Sequence, residues 1–244
     1  MRFIIFDTET TGIDPERQAV EFAMLEIDED LNILGEAQSL LTVTVPIGAE
    51  AQAVHGITPE MLQDCLTVHE WVEQHLGGRL EGEIILIGHR IDFDLPLFAP
   101  FGDVFATLDT LTFAFECFPE APNKKLDTLK EHLGLPGGGE SHRAMADVLT
   151  CHQLLGKIKE ATNRTIYELA TVPFTVHYCP WGKHAGQLLT EVPRGYRQWM
   201  LERPNLEPNL RRSLEQVALL DPAPRPMREV GSEPPKYFGI PRRK

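Results

Sequence analysis

The chain opens on an apolar run, Arg2-Phe3-Ile4-Ile5-Phe6, which reads as a buried strand ending at Asp7. Thr11-Gly12-Ile13-Asp14-Pro15 then interrupts it with Gly and Pro punctuation. Two more strand-like stretches, Ala19 to Ile27 and Ile33 to Val45, flank the turn-like Asp28-Glu29-Asp30-Leu31-Asn32. Thr58-Pro59-Glu60 has the form of a helix start, a cap residue followed by proline. A second helix is expected from about Val68 to Leu80, stopping at Gly77-Gly78 or soon after. Ile84-Ile85-Leu86-Ile87 reads as a central strand, followed by a short helix over 92–100, a strand over 104–109 and a helix over 110–118. Pro136-Gly137-Gly138-Gly139 is a flexible loop. After it Ser141 is placed to cap a long helix from about His142 to Ala161, with Met145, Val148, Leu149, His152, Leu155 and Ile158 near one face. Strands first, then alternating helices and strands, predict an α/β domain with a mixed sheet over about 1–162.

The pattern then weakens. Residues 163–175 read as a linker with one or two helical turns, and a small unit follows over about 176–220 with short helices near Arg194–Leu201 and Asn209–Leu220. From Asp221 onward six prolines and six basic side chains share 24 residues, the composition of a mobile tail. With 42% hydrophobic and 24% charged residues the 244-residue chain is ordinary globular material, not a disordered or collagen-like one. Cys65, Cys117, Cys151 and Cys179 stand far apart and form no C-x-x-C pair, so they read as reduced thiols of a cytoplasmic protein. No stretch approaches 18 uncharged apolar residues and no signal-peptide pattern opens the chain, so neither membrane spanning nor secretion is expected.

A net charge of −13 argues against a protein that coats nucleic acid electrostatically. The charge is unevenly placed: residues 1–160 carry −18 and residues 161–244 carry +5. Such a split suggests two units with different work.

The front unit holds the candidate chemistry. Asp7 and Glu9, two apart on a strand, share a face at the sheet's rim. Adjacent carboxylates raise one another's pKa unless a cation is present, and oxygen-rich sites suit hard ions. Asp94 follows the central strand at the start of a helix. Asp92 beside it is a rival for the same role. His142 and Asp147, five apart at the start of the long helix, can point to one site if that helix abuts the first strand. Taken singly, each has a plainer reading as a solvated or helix-start residue.

In order, Phe6-Asp7-Thr8-Glu9-Thr10-Thr11-Gly12, Val54-His55-Gly56-Ile57-Thr58, Gly88-His89-Arg90-Ile91-Asp92-Phe93-Asp94 and His142-Arg143-Ala144-Met145-Ala146-Asp147 resemble the motifs of the DEDDh 3′→5′ exonucleases. The resemblance implies a ribonuclease-H-like fold, with a mixed sheet flanked by helices. It makes Asp7, Glu9, Asp94 and Asp147 the metal-site acids and His142 the general base. It also sets Thr10, His55, His89 and Phe93 against the 3′-terminal nucleotide. Asp94, rather than Asp92, fits the H-x-x-x-F-D register. Arg90 departs from the family, which usually has Asn there.

Phosphodiester hydrolysis needs a deprotonated water, a neutralised phosphate and a stabilised leaving oxygen. Two Mg²⁺ or Mn²⁺ ions about 3.5–4 Å apart supply all three. Asp7 is the natural bridging ligand, Glu9 and Asp147 complete the first ion, and Asp94 supports the second.

Tyr178-Cys179-Pro180-Trp181-Gly182-Lys183-His184-Ala185-Gly186, followed by Pro193, Tyr196 and Trp199, resembles the small terminal module of exodeoxyribonuclease X-like proteins, with Trp181 where Phe is usual. Lys183, Arg194, Arg197, Arg211 and Arg212 are candidate phosphate contacts. Trp181, Tyr196 and Trp199 either stack on bases or form the module's own core. The three residues His177, Cys179 and His184 are too irregularly spaced for a zinc site to be expected.

Together these features predict a metal-dependent 3′→5′ exodeoxyribonuclease that releases nucleoside 5′-monophosphates from single-stranded or frayed DNA. Two alternatives are an exoribonuclease on the same site and a non-catalytic, polymerase- or repair-associated binding module.

Overall fold

The computed structural model describes residues 1–77, 82–102, 104–139, 142–204 and 206–220. Five strands form one mixed sheet: β1 (Arg2–Thr10), β2 (Ala19–Ile27), β3 (Ile33–Leu40), β4 (Ile84–Gly88) and β5 (Ala106–Asp109). Their spatial order is β3-β2-β1-β4-β5. The first three pair antiparallel, and β4 and β5 join parallel on the other side of β1. β1 is therefore central, which explains its unbroken apolar run. Phe3 and Ile5 pack on one face of the sheet and Ile4 and Phe6 on the other.

The helices are α1 (Ala49–His55), α2 (Val68–Leu76), α3 (Ile91–Phe98), α4 (Thr110–Cys117), α5 (Leu126–Leu133), α6 (Ala144–Thr162), α7 (Ile166–Thr171), α8 (Arg194–Leu201) and α9 (Pro208–Leu220). On the Phe3/Ile5 face, α6 lies across β1 and β2 and brings Val148, Cys151, Leu154, Leu155 and Ile158 into the core. On the opposite face the fully buried Trp71 of α2 meets Phe22 at a ring separation of 4.1 Å.

Several boundaries differ from the sequence expectation. β1 runs past Asp7 to Thr10, because pairing with β2 continues through Glu9↔Glu21. β3 ends at Leu40, short of Val45. The helix expected at Thr58 is one 3₁₀ turn, Pro59–Leu62. α2 stops at Leu76, where Gly77 takes a left-handed φ of 70°. α6 begins at Ala144, two residues after His142, and Ser141, its expected cap, lies outside the described residues. α1 and α5 were not anticipated.

The 163–175 stretch contains α7, whose buried Ile166 and Leu169 join the front core. The small unit has its own core of Val176, Cys179, Trp181, Leu189, Val192, Met200, Leu206, Leu210 and Leu214. It docks on α4: the Glu116 carboxylate accepts from the His177 backbone at 2.8 Å and pairs with the His177 ring at 2.9 Å. Phe174 stacks on Phe113 at 4.3 Å. The expected tail over 221–244 lies outside the described residues. Among those residues no helix is long and apolar enough to cross a membrane.

Candidate active site

Asp7 and Glu9 occupy odd positions of β1, so they project to the face that α6 covers. α6 carries Asp147 in its first turn. One carboxylate oxygen from each of Asp7, Glu9 and Asp147 lies within 4.8 Å of the others. Residues 140 positions apart thus meet because a central strand ends beside the start of a long helix.

Asp94 approaches from the other side of β1. Thr8, an even position, donates its hydroxyl to the buried Asp94 carboxylate. Asp94 stands outside the three-carboxylate group but is near enough to push the Asp7 pKa up.

His142 precedes α6 and is exposed, with a left-handed φ of 62°. That is an uncommon conformation for a residue with a Cβ, and the kind often found at functional sites. Its backbone N–H donates to Asp147, and its ring favours the ionised form of that carboxyl.

The electrostatics follow from this crowding. Burial first, then Asp94, Asp147, Glu9 and Glu21, hold the Asp7 carboxyl well above the usual range. Burial, then Asp147, Glu21 and Asp94, push Glu9 up to about 8, although Arg143 opposes them. Burial lifts Asp147 to about 6 and Asp94 to about 7, the latter against the Thr8 hydrogen bond. Three mutually repelling carboxylates whose oxygens already converge fit a divalent cation, which would favour their ionised forms.

Sequence reasoning missed Glu21 on β2, directly opposite Glu9 in register. Its buried side chain takes both edges of the Arg143 guanidinium, at 2.6 and 3.1 Å, and the Ala144 backbone N–H at 3.1 Å. This clamp fixes the start of α6 to the sheet, and with it His142 and Asp147. The available signal was an acid inside the otherwise apolar Ala19-Val20-Glu21-Phe22-Ala23. Asp109 was missed as well: buried, and raised to about 7 chiefly by that burial, it caps α4 and accepts the Arg90 backbone N–H at 2.9 Å.

Two grooves flank the carboxylates. One, of about 700 Å³, is lined by Glu9, Thr10, Gly12, Pro46 and His55. Thr10 donates its hydroxyl to Gly12 O, and the buried His55 ring bonds the Ile57 N–H and lies 3.3 Å from Thr10 O. Gly56, at a φ of 71°, makes the turn that brings Ile57 back to this ring.

The second groove, of about 820 Å³, has His142, Asp147, His89 and Arg90 on the front domain and Tyr178, Trp181 and Gly182 on the small unit. Both His89 ring nitrogens are engaged within the protein, with Thr110 Oγ1 at 3.0 Å and Lys124 O at 2.7 Å, and burial pulls its pKa down to about 4. The Phe93 ring lies under the Arg17 guanidinium at 4.1 Å, with Arg90 at 5.6 Å.

The small unit corrects part of the sequence reading. Arg197 is buried and donates to the Leu189 and Val192 carbonyls, so it is a core strut and not a phosphate contact. Arg211 is spent on the Leu201 and Arg203 carbonyls, and Arg212 on Phe174 O and Asn209. Lys183 is exposed, 5.3 Å over the Tyr196 ring. Trp181 is core, whereas Trp199 is 45% exposed. His177, Cys179 and His184 bond Glu116, Trp181 O and Gln187 separately rather than converging.

Comparison with known proteins places these features in context. Exodeoxyribonuclease 10 of Escherichia coli K12 is 24% identical over 219 residues, covering 86% of this chain and 96% of that protein. A DNA polymerase III subunit epsilon-like protein of Rhodobacter capsulatus is 31% identical over 159 residues, covering 61% of this chain and 22% of its own length. A DNA polymerase III PolC-type protein of Thermotoga petrophila is matched over 13% of its length, so the chain spans only a minor part of these polymerase-type relatives. A solved exonuclease X in complex with 5′-overhanging duplex DNA superposes with a TM-score of 0.58 at 25% identity, over 69% of this chain and 97% of that one. The ribonuclease-H-like mixed sheet is shared with it. The exonuclease family model matches residues 4–155, the stretch that holds all four acids and His142, and the chain belongs to that family.

Proposed function

We propose that the protein is a divalent-metal-dependent 3′→5′ exodeoxyribonuclease that releases nucleoside 5′-monophosphates. The observation that carries this reading is the convergence of Asp7, Glu9 and Asp147 beside His142, at the junction of two grooves. DNA as substrate is supported by the similarity to exodeoxyribonuclease 10 over nearly its whole length.

Asp7, Glu9 and Asp147 would hold the metal, with Asp94 behind them for a second ion. Two Mg²⁺ or Mn²⁺ ions supply phosphate neutralisation and a more acidic water when bound. His142, at the rim of the second groove, accepts the proton of the attacking water, the task for which imidazole is suited near neutrality. Its backbone bond to Asp147 ties that base to the metal cluster. The groove of Thr10 and His55 receives the 3′-terminal nucleotide. Phe93 and Lys183 contact the strand, and His89 shapes the floor through its two internal bonds.

The test uses 3′-labelled and 5′-labelled DNA and RNA oligomers with Mg²⁺, Mn²⁺ or EDTA. Stepwise shortening from the 3′ end of DNA, ended by EDTA and by Asp147→Asn, is expected. Internal cleavage, or full turnover by Asp147→Asn, would refute the assignment.

A further inference from the structure

Three arginines from separate parts of the chain gather beside the acidic site. Arg17, after β1, lies 4.1 Å over the Phe93 ring and donates to Phe93 O. Arg90, after β4, lies 5.6 Å from the same ring on a backbone of φ 73°. Arg203, just beyond α8 in the small unit, packs 5.0 Å from Trp181 and 5.4 Å from Trp199. Arg17 spends its terminal nitrogens on the Asp14 and Phe93 carbonyls, whereas Arg90 and Arg203 are exposed guanidiniums seated beside aromatic rings, from which they can reach an anion.

Asp92 lies within electrostatic reach of all three guanidiniums, and one of its oxygens is buried without a hydrogen-bond partner. Asp94 also interacts with Arg17 and Arg90 and belongs to the metal site. Outside that site Asp92 and the buried Asp109, which accepts the Arg90 backbone N–H at 2.9 Å, are neighbouring acids, and the exposed Arg90 and Arg203 guanidiniums stand out beside a front domain that is otherwise strongly acidic. Arg90 and Trp181, beside which Arg203 packs, line the same groove as His142 and Asp147, so Arg90 and Arg203 border the route a strand takes away from the reacting phosphate. Exposed Trp199 beside Arg203 adds a face for an unstacked base.

We propose that Arg90 and Arg203 form a phosphate-binding site for the single strand upstream of the bond being cut. The inference rests on the nuclease reading. It gives the small unit a definite part: it supplies Arg203, mounted on Trp181 and Trp199, while Arg197, Arg211 and Arg212 hold its own carbonyls. Arg90, where the family usually has Asn, becomes a contact particular to this chain.

The test compares the full chain with Arg90→Met, Arg203→Met and the double variant. Methionine retains an apolar stem against the rings and removes the charge. Fluorescence anisotropy with a 5′-labelled single-stranded dodecamer in EDTA reads binding without cleavage. Each substitution should weaken binding about tenfold at low salt. Each should also shallow the log K against log salt slope by about 0.7, and the double variant by roughly 1.4. With metal present, the kcat/KM ratio of dodecamer to trinucleotide should fall by a similar factor, through KM. Asp92→Asn, which removes the competing carboxylate, should tighten dodecamer binding. An unchanged slope in a double variant whose circular dichroism is native overturns the site. If the unsubstituted protein binds the dodecamer with the steeper slope yet cleaves nothing with Mg²⁺ or Mn²⁺, the nuclease reading fails and the arginine site stands.

Discussion

Glu9→Gln in metal-free protein should raise thermal stability, and only at neutral to alkaline pH. The folded protein lifts the Glu9 pKa from 4.5 to about 8, through burial first and then Asp147, Glu21 and Asp94. In the unfolded chain the same carboxyl ionises near its ordinary value. Between about pH 5 and 8 the folded state therefore holds a proton that the unfolded state has lost, and stability falls as pH rises. A rise of that size corresponds to roughly 5 kcal/mol at most. Neighbouring carboxyls that protonate in turn, and partial access of water, reduce it to about 2 kcal/mol. For a chain of this length, that is about 4–8 °C in Tm at pH 8. At pH 5, where Glu9 is already protonated in the fold, the variant should match the parent. Differential scanning fluorimetry in EDTA at both pH values reads the difference. Excess Mn²⁺ should reverse the order, because an ion that binds only the folded cluster stabilises the parent more than a variant lacking one ligand. A Glu9→Gln protein less stable than the parent at pH 8 in EDTA would refute the picture of a repelling, cation-seeking cluster.

Two further substitutions probe how the site is held. His142→Gln should lower kcat by roughly 10²–10⁴-fold while anisotropy shows unchanged DNA affinity; an unaltered pH–rate profile would remove it as the base. Glu21→Gln gives up a buried, charge-assisted fork to Arg143, so it should cost about 2 kcal/mol in urea unfolding and lower kcat more than it raises KM. A kcat equal to the parent's would show that the clamp does not govern His142 and Asp147.

Much of this was legible in the sequence because the site residues stand at element ends. Asp7, Glu9 and Asp147 come together as expected from a strand terminus and a helix start. What stayed hidden depends on contacts between distant segments. Periodicity marks Val148, Leu155 and Ile158 as core, but the carboxylate that holds the first residues of α6, Glu21, lies over 120 residues away in the sequence. α5 does carry an apolar stripe, Leu126, Leu129 and Leu133, that the sequence reading passed over, whereas α1, Ala-rich and with His55 its one buried residue, has no such stripe to read. A count of basic residues found five phosphate candidates in the small unit. It could not tell Arg197, whose guanidinium holds two carbonyls, from Arg203, which rests on two indoles.

The pairing of Glu9 opposite Glu21 bears on how the enzyme is made. β1 and β2 emerge early from the ribosome and set two like charges face to face across a hairpin, an arrangement that opposes its own formation. The cation that settles Glu21, Arg143, is synthesised more than a hundred residues later, only four positions before Asp147, the last carboxylate of the cluster. A chain stalled before that point carries neither the clamp nor the full ligand set. The clamp that neutralises Glu21 and the last carboxylate of the cluster therefore arrive in a single stretch of translation, ahead of the α6 residues that bury the same face of the sheet.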